Sequence, residues 1–156
     1  MKPMRLTEEN LKGFGRLISS GAIAANIDEP EFAFSADIAQ FTIQGKTTTG
    51  ILTGKKRPLA LEKFERHLRT PEILVALEND SLIAMAKPSE TVPEPQHIHL
   101  FHVKQGEAFL IVPGTWHWVP FPVDAETCRL LVLFRENTGS EDGGVIEFAE
   151  KVHLSA

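Results

Sequence analysis

Four residues carry side chains that bind metal ions or move protons, at spacings a β-rich chain can bring together: Glu65, His67, Glu72 and His117. Glu65 and His67 are two apart, so on an extended strand both leave one face while Phe64 and Arg66 leave the other. Arg69-Thr70-Pro71 predicts a turn, after which Glu72 opens the next strand and, as a hairpin partner, can aim its carboxylate at the same interior. Pro113-Gly114-Thr115-Trp116-His117 offers a turn and then a histidine, just past the apolar run 108–112. Two carboxylates and two imidazoles form a mixed oxygen and nitrogen set that suits a divalent ion such as Zn, Ni, Mn or Fe better than copper(I). An isolated E-x-H is equally a solvated glutamate beside a hydrogen-bonded strand histidine, so the elements around it must decide.

Those elements read as mostly β. Thr7 as a cap, Glu8 and Glu9 in a first turn, and Leu11, Phe14 and Ile18 at helical spacing predict a short N-terminal helix ended by Gly21. Gly13 and Gly15 weaken it by about 1 kcal/mol each relative to alanine, so it can finish near Gly13. Beyond Pro30, short apolar runs punctuated by Gly, Pro, Asn and Asp predict strands at 37–43, 72–77, 82–86, 98–103, 108–112 and 128–135. Residues 78–81 predict a hairpin turn, and residues 87–95, with Pro88, Pro93 and Pro95, an extended loop. The pattern is that of an all-β sandwich or barrel in one domain over 1–156, a length that buries an adequate core.

Composition narrows the partners. A formal charge of -5 gives no reason to expect nucleic acid, and no apolar run approaches the roughly 20 residues of a spanning helix, so no membrane partner is expected. One cysteine, Cys128, excludes an intramolecular disulfide, and the Met-Lys-Pro-Met start is polar, so a cytoplasmic protein is expected. There is no glycine-rich phosphate loop, dinucleotide fingerprint, nucleophile elbow or solenoid repeat. His97, His99 and His102 form a histidine-rich strand that water or backbone can satisfy, and His153 is expected at the surface. Trp116, Phe101 and Phe109 are candidates to line a substrate pocket, though strand aromatics also fill cores. Arg66 and Arg135 are candidate carboxylate holders, with Arg66 expected to point away from the His67 face.

Glu65-x-His67, four residues, Glu72, then Gly114-x-x-His117 resembles the two cupin motifs, H-x-H, three or four residues and E, followed by P-x-G-x-x-H. Glu65 stands where the first histidine is usual, and Gly106-Glu107 looks like the opening of the second motif. A narrower resemblance is to the ureidoglycolate lyase family, formerly ureidoglycolate hydrolase, and it runs over most of the chain. It rests on the opening from Leu6 to Ile18, on Arg57-Pro58-Leu59 leading into Glu65-Arg66-His67, and on Gly114-Thr115-Trp116-His117. That family usually has glutamine where Glu72 stands, a second histidine where Trp118 stands, and polar residues where Leu110 to Pro113 stand.

The resemblance implies a cupin-type β-barrel (a double-stranded β-helix or jelly roll), a homodimer, and a lyase that releases urea and glyoxylate from ureidoglycolate or a related small carboxylate or ureido compound. It implies Glu65, His67, Glu72 and His117 as metal ligands, with Glu65 or Glu72 moving a proton when not held by the ion. Another cupin enzyme, a sugar isomerase or dioxygenase, and a non-catalytic small-molecule-binding cupin remain open alternatives.

Overall fold

A computed structural model describes residues 2–19 and 24–154. In chain order the elements are β1 (Met4–Arg5), β2 (Gly15–Ser19), β3 (Ile27–Asp28), β4 (Ala33–Phe34), β5 (Thr47–Lys55), β6 (Ala60–Phe64), β7 (Glu72–Glu78) and β8 (Ser81–Ala86). A 3-10 turn at Pro95–His97 leads to β9 (His99–Val103), β10 (Ala108–Ile111), β11 (Trp116–His117), β12 (Phe121–Pro122), β13 (Thr127–Arg135), α1 (Thr138–Glu141) and β14 (Ile146–His153). One sheet runs β2-β10-β7-β13-β5; the other runs β1-β9-β8-β11, with β12 also on β8. Two two-stranded ribbons, β6–β14 and β3–β4, complete a nearly all-β arrangement, in keeping with the cupin-type architecture expected from the sequence.

Strand β7 sits between β10 and β13, and its unbroken apolar run Ile73-Leu74-Val75-Ala76 suits a central strand covered on both faces. Leu74, Ala76, Phe109, Ile111, Cys128 and Leu130 of the first sheet pack against Ile83, Met85, Phe101 and Val103 of the second. The second sheet is covered on its other face too. There Ala84, Ala86, Leu100 and Trp116 meet Leu61 and Phe64 of β6 and, on β14, Ile146 and Phe148. Strand alternation therefore gives Phe64 and Trp116 to this outer core and leaves their neighbours Glu65 and His117 for the space between the sheets.

Three expectations need correction. The N-terminal segment is a turn over residues 8–14 and then strand β2, not a helix to Ile18. Thr7 does cap it, its Oγ1 accepting from Asn10 N at 3.1 Å, but Gly13 takes φ 88°, and Phe14 and Gly15 both donate back to the Leu11 carbonyl. Gly15 then enters β2, where its lack of a side chain is needed; Gly21, the expected helix end, lies outside the described residues. Residues 37–43 are irregular, with Asp37 at φ 56° and no ladder partner, while the threonine-rich β5 supplies the edge strand beside β13. Residues 78–81 do not close a hairpin, because β7 and β8 belong to different sheets. Asn79 takes φ 61° there and donates to the Thr127 carbonyl, and Asp80 accepts from Gln105 N, so the chain turns a corner between sheets.

A Cβ at Gly15 would lie 1.8 Å from the Leu110 carbonyl oxygen, backbone that cannot yield without breaking the β2–β10 ladder. Gly15→Ala is expected to lower stability by about 3 kcal/mol, whereas Gly139→Ala, with open space around it, is expected to stay within about 0.5 kcal/mol. Urea unfolding midpoints of the two variants check this, and equal midpoints would refute the packing account.

Candidate functional site

Strand β6 ends at Phe64, and the next residue makes the decisive contact. Glu65 N donates to the His117 carbonyl at 2.9 Å and His117 N donates to the Glu65 carbonyl at 2.8 Å, a hydrogen-bonded antiparallel pair that sets the two side chains on one face. Two residues on, the His67 carbonyl accepts from Gly114 N at 2.7 Å; Gly114 holds φ 86°, a conformation that favours glycine. The Glu65–His67 and Gly114–His117 segments are thus laced backbone to backbone. Glu72 arrives from the first position of β7, not as a hairpin partner: β6 pairs with β14, and β7 with β10 and β13.

All four side chains meet. His67 Nε2 lies 3.5 Å from Glu72 Oε1, His117 Nε2 3.4 Å from Glu72 Oε2, and His117 Nε2 3.8 Å from Glu65 Oε1. The imidazole centroids are 5.4 Å apart, and His67, Glu72 and His117 are buried while Glu65 is partly exposed. The far nitrogens are committed: His67 Nδ1 lies 2.9 Å from the Asp142 carbonyl and His117 Nδ1 2.9 Å from the Thr115 carbonyl. A carbonyl only accepts, so each Nδ1 carries the hydrogen and each neutral ring presents an Nε2 lone pair to the site.

That is the preparation a metal ion needs. Glu65, His67 and His117 place one ligating atom each within 4.8 Å of one another, the only such group of three or more among the described residues. The 3.4–3.8 Å separations are long for strong hydrogen bonds, and close to the about 3.4 Å between two donors that share an ion at about 2.1 Å in tetrahedral geometry. The residues therefore fit a divalent ion, with Glu72 adding a further carboxylate oxygen beside both imidazoles.

Electrostatics agrees with the geometry. Burial pushes the His117 imidazolium down, but the Glu72 carboxylate, then Glu65 and the Thr115 carbonyl, outweigh it and hold its pKa above the ordinary 6.5. Burial likewise pushes the Glu72 carboxyl up, and His117 and then His67 outweigh that, leaving its pKa below 4.5.

The polar cluster forms one wall of a cavity of ≈ 240 Å³, and the remaining lining is apolar: Ile51, Leu52, Leu74, Ile83, Val132 and Phe134, with Trp118 and Val119 beside His117. Trp116, Phe101 and Phe109 are elsewhere. Trp116 stacks on Phe64 at 6.0 Å in the outer core and donates Nε1–H to Ser89 Oγ, while Phe101 and Phe109 fill the core between the sheets. Arg66 points away from the site as expected; its guanidinium covers Trp116 at 4.7 Å and donates to the Ser89 and Glu90 carbonyls, pinning the 87–95 loop. Arg135 pairs with Glu141 at 2.8 Å. His102 pairs with Asp80 at 3.1 Å, and His99 lies edge-on to Phe14, its pKa lowered by burial and by Lys87 and His97. His97 and His153 are exposed, and Cys128 is buried, with burial raising its thiol pKa.

Sequence reasoning missed Asp142, whose carbonyl orients His67 and whose carboxylate accepts from Leu68 N and Arg69 N. Any residue supplies a carbonyl, so no side-chain signal marks that role. It also missed the cavity walls: β5 was not read as a strand, and Val132 and Phe134 of β13 read as ordinary strand residues.

The proton on His117 Nε2 competes with a metal ion for the same lone pair, so its raised pKa predicts the pH dependence. In metal-free protein the raised His117 pKa stabilises the fold below about pH 6.5 and is lost as pH rises through the folded value. The lowered Glu72 pKa stabilises above about pH 4.5 and is lost as pH falls through its folded value, so the pair contributes most between those limits. Metal is expected to stay bound at pH 8 and to leave as pH falls toward 5. Elemental analysis after dialysis across that range checks this, beside His67→Ala and His117→Ala, which are expected to lose the ion at every pH.

A family model described as ureidoglycolate lyase matches residues 1–155. No curated protein matches the chain by sequence. Among solved structures, RmlC from Streptococcus suis in complex with dTDP-D-xylose is 11% identical at a TM-score of 0.44, over 58% of this chain and 44% of that one. Oxalate decarboxylase from Bacillus subtilis at pH 4.6 is 12% identical at a TM-score of 0.46, over 68% of this chain and 24% of that one. The formate complex of the Lactobacillus farciminis oxalate decarboxylase is 11% identical at 0.46, over 67% and 27%. The chain spans less than half the length of each of these solved chains. No described helix is long and apolar enough to cross a membrane. The family match covers nearly every residue, and the chain belongs to the ureidoglycolate lyase family.

Proposed function

We propose that the protein cleaves ureidoglycolate, or a closely related α-hydroxy ureide, to urea and glyoxylate, a step in the breakdown of purine-derived ureides. The observation that carries this reading is the convergence of Glu65, Glu72 and His117 on the polar wall of one cavity, with His67 directly behind them against Glu72.

The reaction removes a proton from a hydroxyl oxygen and delivers one to the departing nitrogen as the bond between carbon and nitrogen breaks; it needs a base and an acid, not a covalent nucleophile. Glu72 is held between two imidazoles, an oxygen toward each, so it fixes their orientation and offsets their charge. Glu65 is freer: it is partly exposed to the cavity and its nearest partner is His117 at 3.8 Å. Glu65 is therefore the group that takes the hydroxyl proton and returns it to nitrogen. A divalent ion held by His67, Glu72 and His117 would supply a Lewis acid for the substrate's anionic oxygens, with Glu65 left off the ion to move the proton.

The reading extends to a cytoplasmic homodimer. Cys128 is buried with no disulfide partner, and Leu77, 41% exposed on β7 and outside the cavity lining, offers apolar surface for a second copy. Light scattering on Leu77→Asp, expected to halve the mass of the wild-type particle without loss of fold, checks that point. The apolar lining is the one observation that favours a non-catalytic binding protein instead.

Glyoxylate release from ureidoglycolate decides between them. Glu65→Gln is expected to lower kcat about 10²- to 10⁴-fold with folding intact. No glyoxylate from metal-loaded wild type would sink the lyase reading, and full activity in Glu65→Gln would remove Glu65 from its role.

A further inference from the structure

The cavity is divided by chemistry. Glu65, Glu72 and His117 form its polar end, and Leu52, Leu74, Ile83, Val132, Phe134 and Trp118 surround the rest; among the described residues no lysine or arginine lines it. The glycolate part of an α-hydroxy ureide, with its hydroxyl and carboxylate, matches the polar end once a divalent ion there offsets the charge of Glu65 and Glu72. The other part, a terminal carbamoyl group, carries two N–H donors and a carbonyl. Buried among these aliphatic and aromatic walls it would leave hydrogen bonds unmade, and each polar group desolvated without a partner works against binding. A hydrocarbon group in the same place would instead gain from leaving water. The space suffices, because an apolar cavity of about 150 Å³ already holds a benzene and this one measures ≈ 240 Å³.

We propose that the preferred substrates are N-acyl-α-hydroxyglycines whose acyl group is apolar, cleaved to a primary amide and glyoxylate. This rests on the lyase reading and names its substrate class. The bond broken is the same one. The hydroxyl O–H gives up its proton, its electron pair becomes the carbonyl of glyoxylate, and the bond from carbon to nitrogen breaks with its pair going to nitrogen. That nitrogen takes the proton from Glu65 to become the amide –NH2. Nothing is oxidised or reduced, and no co-reactant enters. The hydrocarbon replaces the terminal –NH2 of the ureide and is the only part that meets the apolar walls.

Two measurements on the metal-containing protein test this. The first compares kcat/KM for α-hydroxyhippurate and ureidoglycolate, read as glyoxylate; at least tenfold in favour of α-hydroxyhippurate is expected. The second uses hippurate and hydantoate, which lack the hydroxyl and cannot be cleaved, in calorimetric titration; a Kd at least tenfold lower for hippurate is expected. Glyoxylate from ureidoglycolate alone, or hydantoate binding as tightly as hippurate, would overturn the substrate class and leave the lyase reading standing. No glyoxylate from either compound would overturn both. Val132→Phe and the less buried Leu52→Phe should each fill the cavity and weaken hippurate at least tenfold with metal content unchanged, and unchanged hippurate binding in both folded variants would overturn the location.

Discussion

Glu65 and His117 exchange both backbone hydrogen bonds across a gap of more than fifty residues, and this one pair organises the site. It forces their side chains onto the same face, and through β11 it ties the β6–β14 ribbon to the edge of β8. The alternation that follows sends Phe64 and Trp116 into the outer core, where they stack. Packing of the aromatic pair and placement of the acid–imidazole pair are two consequences of a single register. A slip of one residue would exchange them, putting charge into a core and aromatic rings into the space between the sheets.

The second constraint is electrostatic. Two histidines and a glutamate are buried together with a second glutamate at the cavity face, and groups of this kind are buried only when paired or ligated. Backbone carbonyls of Asp142 and Thr115 fix the outer nitrogens, so the inner ones have no choice but to face the carboxylates. Without an ion the cluster is held by protons and by opposite charge, at separations too long for short hydrogen bonds. A divalent cation would satisfy the same donors at once, and the separations of 3.4–3.8 Å leave room for one.

How far this could be read from the sequence follows from what each residue signals. The strands carried by dense apolar runs, β7, β8, β9, β10 and β13, were legible within a residue or two, because burial on a pleated sheet dictates such runs. Glu65, His67, Glu72 and His117 were legible as a set, since the period of a strand and a glycine turn predict their direction. The N-terminal helix was misread because Leu11 and Phe14 do face a core, from a capped turn that Gly13 breaks. Strand β5 was missed because Thr47-Thr48-Thr49-Gly50 is polar where it borders solvent, and the sheet crossing at Asn79 was mistaken for a hairpin because both use a left-handed residue. Trp116, Phe101 and Phe109 show a different limit: side-chain type says that an aromatic ring is buried, not on which side of a sheet.

The division of labour between the two glutamates follows from the same geometry. A carboxylate shared between two imidazoles lowers the energy of both rings and is itself lowered in pKa, so it holds a proton poorly and serves best as a fixed negative charge. A carboxylate that touches one imidazole at longer range and is open to the cavity can approach substrate, accept a proton and release it within the same turnover. Exchanging the two roles would require Glu72 to abandon both histidines at the moment of proton transfer, which exposes buried charge in an apolar cavity when the reaction most needs it compensated. On the proposed lyase reading, the wall of leucine, isoleucine, valine and phenylalanine therefore does more than shape the ligand: by raising the cost of any uncompensated charge, it favours Glu65 over Glu72 as the group that moves a proton.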